Sequence, residues 1–594
     1  MNNENRSCLR CLNLSRLLLG IACILMQPYA VAKGGSIPAV NLIAPAEVRA
    51  VLKEYFVLPD ALLKSDGERA LFMRRAQREI PDLLQTEGYF SSSVKLLAVA
   101  RSGAIDVKVE PGPRTEVAQV DIEFQGELGL TGAEQSERVQ QLREQWLLQV
   151  GSPFNAKAWD LAKADLLARV LRKDYAAAQL VESSAKVDPA TASARIHIVV
   201  DSGRSYLFGE MQVSGLERYP ESMVTRYAGF KHGQAYDRDQ LLKLQKFLQN
   251  LPQFSSVIVS LDTSHQPGKE NMSGPLTAPV KVQIVEAESR KISLGIGYST
   301  NNGVRNEINY HSHNFLDRAW SLNSALVVET NRQTFSTGID TLPNPQGFQL
   351  MWNLSGERTQ IEGLETRRDK FGVTRRRTIY GINNDIGLNW QQEQRIPEGG
   401  IRENNQALVL DWHWYLRDVN DPMYPMSGTL NEAKLGIAGK AFLSDQDFVR
   451  SYARHQSWIL ISAKDVLLLR IEAGYTGAGT RLGIPQEYLF RVGGTQTVRG
   501  FAYQSLGFIE GGAVVGGRVM TTGSAELTHW FNDWGAAMFY DLGGAADVAT
   551  SLRFSHGYGF GPRWRSPVGP LALDIARGRG EVKPMIHFAI AVAF

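Results

Sequence analysis

The chain has 594 residues, too many for one hydrophobic core, so several domains are expected. Its 43% hydrophobic and 21% charged content excludes a disordered polymer, and a net charge of +3 gives no sign of a nucleic-acid binder.

Arg6, Arg10 and Arg16 precede the apolar run "LLLGIACILM" (Leu17 to Met26), and "AVA" follows at 30–32. That charged, apolar, small-residue order predicts a secretory signal peptide over residues 1–32. The apolar run is short for a membrane anchor. Gly20 also stands where a lipoprotein signal before Cys23 carries a larger aliphatic residue. Cleavage after Ala32 removes Cys8, Cys11 and Cys23, leaving an exported chain with no cysteine. Such a chain relies on a large core or on a membrane.

Residues 33–289 mix helical and strand periods. "PAEVRAVLKEYF" and "ERALFMRRAQREIPDLLQTEG" read as helices, the second ending at Gly88. "YFSSSVKLLAVA" and "GAIDVKVEPG" read as strands. The order strand, helix, helix, strand, strand then recurs. "GPRTEVAQVDIEFQG" and "GRSYLFGEMQVSG" align at an offset of 91 residues, pairing Val117 with Phe208 and Ile122 with Val213. Helical "ERVQQLREQWLLQV" and "AKAWDLAKADLLARVLRKDY" follow the first; "PESMVTRYAGF" and "DRDQLLKLQKFLQNL" follow the second. Three serial α+β modules are expected, over 33–115, 116–205 and 206–289.

From residue 290 the helical period vanishes. "KISLGIGYS" places Ile292, Leu294, Ile296 and Tyr298 on one face, and "LVLDWHWYL" places Leu408, Leu410, Trp412, Trp414 and Leu416 on one face. The closing "IHFAIAVAF" does the same with Ile586, Phe588, Ile590, Val592 and Phe594. A soluble sandwich also alternates. Segments near ten residues, aromatic-rich apolar faces and an aromatic final residue favour a transmembrane antiparallel β-barrel over 290–594. At roughly 19 residues per strand and connection, that span makes about 16 strands.

The motifs join this pattern. "VRGF" is Val498, Arg499, Gly500 and Phe501; "DPMYPMSG" supplies Asp421, Pro422, Pro425 and Gly428; "FYDLG" supplies Phe539, Asp541 and Gly543; and "GSAELTHWF" carries Glu526. Together they resemble the BamA/TamA/FhaC superfamily of outer-membrane assembly and secretion proteins. The resemblance implies that the VRGF segment lies on a loop tucked into the barrel, with Glu526 as a partner of Arg499. It also implies that the modules are POTRA-like and periplasmic. Three of them fit the TamA-like branch better than the five of BamA-like or the two of FhaC-like proteins.

Alternation on "AAMFYDLGG" sets Phe539, Asp541 and Gly543 opposite Met538, Tyr540 and Leu542, so Asp541 is expected in the lumen, with Glu526 beside it. A guanidinium fork between two carboxylates would pin the loop to the wall, and Gly500 would let its backbone pass close. A weak seam between the first and last strands is expected as a lateral gate, with Ile292, Gly295, Gly297, Ile590 and Phe594 in it.

His311 and His313 stand two apart on "NYHSHNF" with no third ligand evident, so no metal is expected. No G-x-S-x-G, H-E-x-x-H or P-loop occurs, so neither an enzyme nor a cofactor is expected. The resemblance implies a factor that inserts or secretes autotransporters and other β-barrel clients in contact with outer-membrane lipid. It implies a TamB-like inner-membrane-anchored partner and a role in phospholipid transport. A two-partner secretion pore and a porin or surface receptor are the alternatives.

Overall fold

In the first module, Val40–Ile43 runs parallel to Ile105–Glu110, which pairs antiparallel with Ser93–Ala98. Helices Ala46–Tyr55 and Asp66–Thr86 lie between them in the chain. Ser65 and Glu68 cap the longer helix reciprocally, each side chain bonding the other's backbone N–H. Gly88 follows its end in the left-handed region, at φ 95°. Val48, Leu52, Phe72, Ala76, Ile80 and Leu84 recur at helical spacing and pack with Ile105, Val107 and Val109 as one core. The computed structural model describes residues 40–59, 65–98, 105–130, 133–264, 274–379, 381–567 and 569–593. The expected signal peptide, the first residues of this module and Phe594 lie outside them.

The second and third sheets repeat the same plan. Glu116–Gln125, Ser193–Asp201 and Gln179–Asp188 form the second, with the middle one central. Its helices are Ala133–Glu144 and Ala156–Val170. The predicted first helix stops at Glu144, short of Trp146 and Leu148, which leave the helix to fill the core. Tyr206–Ser214, Leu276–Glu286 and Phe254–Leu261 form the third sheet, again with the second of these central. The helix expected over "PESMVTRYAGF" is a single turn, Ser222–Thr225. Beyond it the chain continues in tighter i+3 turns, Tyr227 N–H to Val224 O and Ala228 N–H to Thr225 O, rather than as an α-helix. Arg238–Gln249 is the long helix and buries Leu241, Leu244 and Leu248.

Two compact units divide the chain: the first two modules with part of the third, and the rest of the third with residues 280–594. Within the second unit, Glu286 ends the third sheet as an anion clasp. Its carboxylate accepts from the backbone N–H of Glu217 (2.9 Å), Arg218 (2.9 Å) and Tyr219 (3.3 Å) and from Arg218 Nε (2.7 Å). Burial pushes its pKa up, but the Arg218 guanidinium and those three N–H groups hold it below the usual carboxylate value. Tyr227 Oη donates to Pro343 O (2.6 Å) and Gln253 Nε2 to Ala319 O (2.7 Å), tying this part of the module to two turns of the barrel.

From Arg290 onward sixteen strands close into an antiparallel barrel. Its walls alternate as expected. Ile292, Leu294, Ile296, Met538 and Tyr540 are exposed on the outside, while Phe539 and Asp541 are buried inside. The strands between Phe348 and Val419 have 14 to 17 residues, longer than the ten or so that cross a bilayer. A wall this tall rises beyond the membrane, where alternation alone sets no limit on length.

Barrel pairing among the described residues is shortest on the two edges of the last strand. The first strand, Arg290–Ser299, pairs along its whole length with Gly303–Ser312. With the last strand, Met585–Ala593, it pairs only from Gly295–Ala593 to Ser299–Ala589. Among the described residues, positions 290–294 have no partner on that edge. The last strand pairs with its other neighbour, Gly569–Gly578, only from Leu573–Phe588 to Ala576–Met585.

Candidate functional site

Residues 478–518 connect the strands Asp465–Gly477 and Val519–Phe531. This loop folds into the lumen and carries a short turn (Gln486–Tyr488) and a hairpin (Phe508–Glu510 with Ala513–Val515). Val498, Arg499 and Phe501 are all buried.

All five N–H donors of the Arg499 guanidinium have acceptors. Nε donates to Asp541 Oδ2 (2.8 Å), and Nη2 donates to Asp541 Oδ1 (3.0 Å) and Ser524 Oγ (3.5 Å). Nη1 donates to Glu526 Oε2 (2.6 Å) and Asp574 Oδ2 (3.0 Å). The backbone N–H of Arg499 also donates to Asp541 Oδ2 (3.1 Å). The guanidinium carbon lies 3.4 Å from the Phe539 ring centroid. Arg563 shares the acids, donating to Glu526 (2.8 and 3.0 Å) and to Asp574 (2.6 Å). A planar fork suits this bidentate grip; an ammonium has no such fork.

Close approach of the loop to the wall depends on glycine. Gly500 has φ 91°, and a Cβ there would stand 2.4 Å from the backbone nitrogen of Gly578. At Gly557 in the wall, a Cβ would meet the carbonyl oxygen of Arg499 at 1.8 Å. Gly543 makes room for Val498, whose Cγ2 would lie 2.9 Å from a Cβ there. The Gly500 N–H donates to His587 Nε2 (2.8 Å), so that nitrogen carries no proton.

The same loop is held at two further places. Glu487 accepts from Lys370 Nζ (2.8 Å) and lies 3.5 Å from Arg368, while Gln486 N donates to Glu393 (2.8 Å). Glu510 of the hairpin takes Arg395 (2.9 and 3.2 Å) and Arg481 (2.9 Å). Polarity reverses between grips: the loop gives the cation to Asp541, Glu526 and Asp574, and the anion to Lys370 and Arg395.

The structure thus brings Val498, Arg499, Gly500, Phe501, Glu526, Phe539, Asp541 and Gly543 together. Sequence reasoning missed Asp574, Arg563 and His587. Asp574 sits between outward Leu573 and Ile575, so the alternation that set Asp541 inward applied to it as well. The turn residues lie elsewhere. Asp421 Oδ1 accepts from the N–H of Met423 (2.7 Å) and Tyr424 (3.1 Å), which hold its carboxyl below the usual range. Pro422 O accepts from Arg417 (2.6 Å), Pro425 continues the turn, and Gly428 leaves it at φ 119°. None of these reaches Arg499. Of the gate residues, Ile292 faces outward, Gly295 and Gly297 pair in the seam, and Ile590 stands opposite Tyr298. Phe594 lies outside the described residues. His311 bonds Asn323 (2.9 Å) and the backbone of His313 bonds Ser289; no acidic, His or Cys cluster among the described residues fits a metal.

The model of the Omp85 superfamily domain matches residues 288–594. The chain belongs to the Omp85 superfamily. The POTRA model, described as a surface antigen variable number repeat, matches residues 206–287. BamA from Haemophilus ducreyi lacking POTRA domains 1–3 overlays with a TM-score of 0.66 at 17% identity, covering 81% of this chain and 100% of that one. CdiB from Escherichia coli overlays at 0.46 and 14% identity, covering 90% of this chain and 99% of that one. CdiB from Acinetobacter baumannii gives 0.45 and 14%, covering 81% and 91%. The BamA likeness shows a shared fold; the two CdiB overlays are too loose to add to it. As an Omp85 protein with a POTRA module, the chain has its barrel in the outer membrane and its soluble part in the periplasm. Omp85 proteins are non-enzymatic assembly and transport barrels that handle client β-barrels or secreted substrates. Outer-membrane assembly or secretion is therefore its general task.

Proposed function

We propose that this Omp85 protein is a TamA-like translocation and assembly factor that inserts β-barrel clients, autotransporters among them, into the outer membrane. The observation that carries the reading is the short seam, paired only from Gly295–Ala593 to Ser299–Ala589. A nascent client strand brings N–H and C=O groups that lipid cannot satisfy. An edge whose positions 290–294 have no partner among the described residues offers those groups a template, and strand addition is a common way to use one. Arg499 and its acids hold the loop against the wall beside that seam, so the barrel keeps its shape while the seam parts.

The three α+β sheets motivate the TamA-like assignment, with residues 33–115, 116–205 and 206–289 each a POTRA-like module. An inner-membrane-anchored TamB-like partner docks on the first, and the pair also moves phospholipid. Two experiments test this. An autotransporter β-domain is offered to proteoliposomes with and without the full chain, and its protease-resistant folded form is followed. Faster folding is expected with the chain; no acceleration contradicts an insertase. A membrane pull-down with residues 40–110 deleted should lose a long inner-membrane-anchored protein that the full chain recovers. Recovery of a single large secreted polypeptide instead would favour two-partner secretion.

A further inference from the structure

Three consecutive arginines, Arg375, Arg376 and Arg377, sit near the end of the strand Leu364–Ile379, and the barrel wall divides them. Arg376 points inward and grips Asp385 with two bonds, Nε to Oδ1 (2.9 Å) and Nη2 to Oδ2 (2.7 Å). Arg375 and Arg377 point outward. Arg375 stands in register with Leu350 and Ile386, both exposed on the lipid side, and the next residue along that row is Trp412. Both guanidiniums lie on one ring: their carbons are 3.6 Å and 4.6 Å from the Phe348 centroid. They are therefore no farther apart than those two distances together. No carboxylate of the described residues pairs with either, and Arg377 Nε is buried without a partner. Two like charges held this close, at the margin of an apolar band, call for an anion from outside the protein.

The strand's direction says which leaflet supplies it. The chain enters the barrel from the periplasmic module at Arg290, so the first strand starts at the periplasmic end. Antiparallel alternation puts the end of Leu364–Ile379 on the same side. We infer that Arg375 and Arg377, stacked on Phe348, form a binding site for the phosphate of an anionic phospholipid in the periplasmic leaflet of the outer membrane. The aromatic ring and Trp412 hold the acyl–headgroup boundary, and the paired cations select a headgroup with net negative charge. Arginines that only snorkel to the interface would show no such selection.

The test uses the full chain, delipidated in detergent and titrated with dioleoylphosphatidylglycerol or dioleoylphosphatidylethanolamine, with bound lipid read by native mass spectrometry. Two cations near the surface correspond to a preference of roughly 25-fold for the anionic lipid. The variant R375Q/R377Q should lose that preference at an unchanged melting temperature, while R402Q, in an exposed connection, keeps it. Should the double variant not fold, R375Q alone is expected to lower the preference about fivefold. Equal binding of the two lipids by the unaltered protein, or undiminished preference in the variants, would overturn the inference.

Discussion

At Arg499 the asymmetry of the acids decides what each substitution does. Arg563 also bonds Glu526 and Asp574, so those two keep a cation when Arg499 is removed. Asp541, fully buried, keeps only neutral donors, the hydroxyl of Ser524 (2.6 Å) and the backbone N–H of residue 499 (3.1 Å). Arg499→Ala is therefore expected to destabilise the barrel by about 3–5 kcal/mol, the range for stranding one member of a buried pair. Arg499→Lys should fall close to it, because a point charge cannot reproduce the fork. Adding Asp541→Asn to Arg499→Ala removes the stranded charge and should recover part of the loss. Thermal unfolding in detergent, followed by tryptophan fluorescence, checks all three; strictly additive losses in the double variant would contradict the account. Arg499, Glu526 and Asp541 were legible because a motif and a period of two agreed on them. The Glu487–Lys370 grip was not, because it joins residues far apart in the chain that carry no shared pattern.

Among the elements, the Glu286 clasp gives a pH-dependent prediction outside the membrane. Its folded pKa lies below its ordinary value, so its contribution is present above about pH 4.3 and fades as pH falls through the folded value. Glu286→Gln should raise hydrogen exchange at the Glu217–Tyr219 amides at pH 7. The difference from the unaltered protein should shrink as pH falls through the folded value; a difference that stays constant throughout would point to packing rather than charge. The clasp left no trace in sequence, since its donors are backbone N–H groups. The strands did leave one: outward Ile292, Leu294 and Ile296 read as a lipid face directly. The turn at Ser222–Thr225 read as a full helix because apolar Met223, Val224 and Tyr227 fall at helical spacing.

At the scale of the whole molecule, barrel pairing among the described residues is shortest on the two edges of the last strand, and one of those edges joins the two ends of the barrel. The length of the span, divided by an average strand and connection, gave the expected number of strands, because long elements such as the 478–518 connection are offset by short turns. It could not give the register of the seam, which depends on how far the last strand slides along the first. That register selects the covalent test: Ser299 faces Ala589, whereas Ser293 has no described partner on that edge. The measurement is client insertion into proteoliposomes by a Ser299→Cys/Ala589→Cys variant, oxidised and then reduced. The expected result is that the oxidised form, with its seam locked, loses insertion and the reduced form regains it. Normal insertion by the fully oxidised form would contradict the seam as the route by which clients enter the membrane.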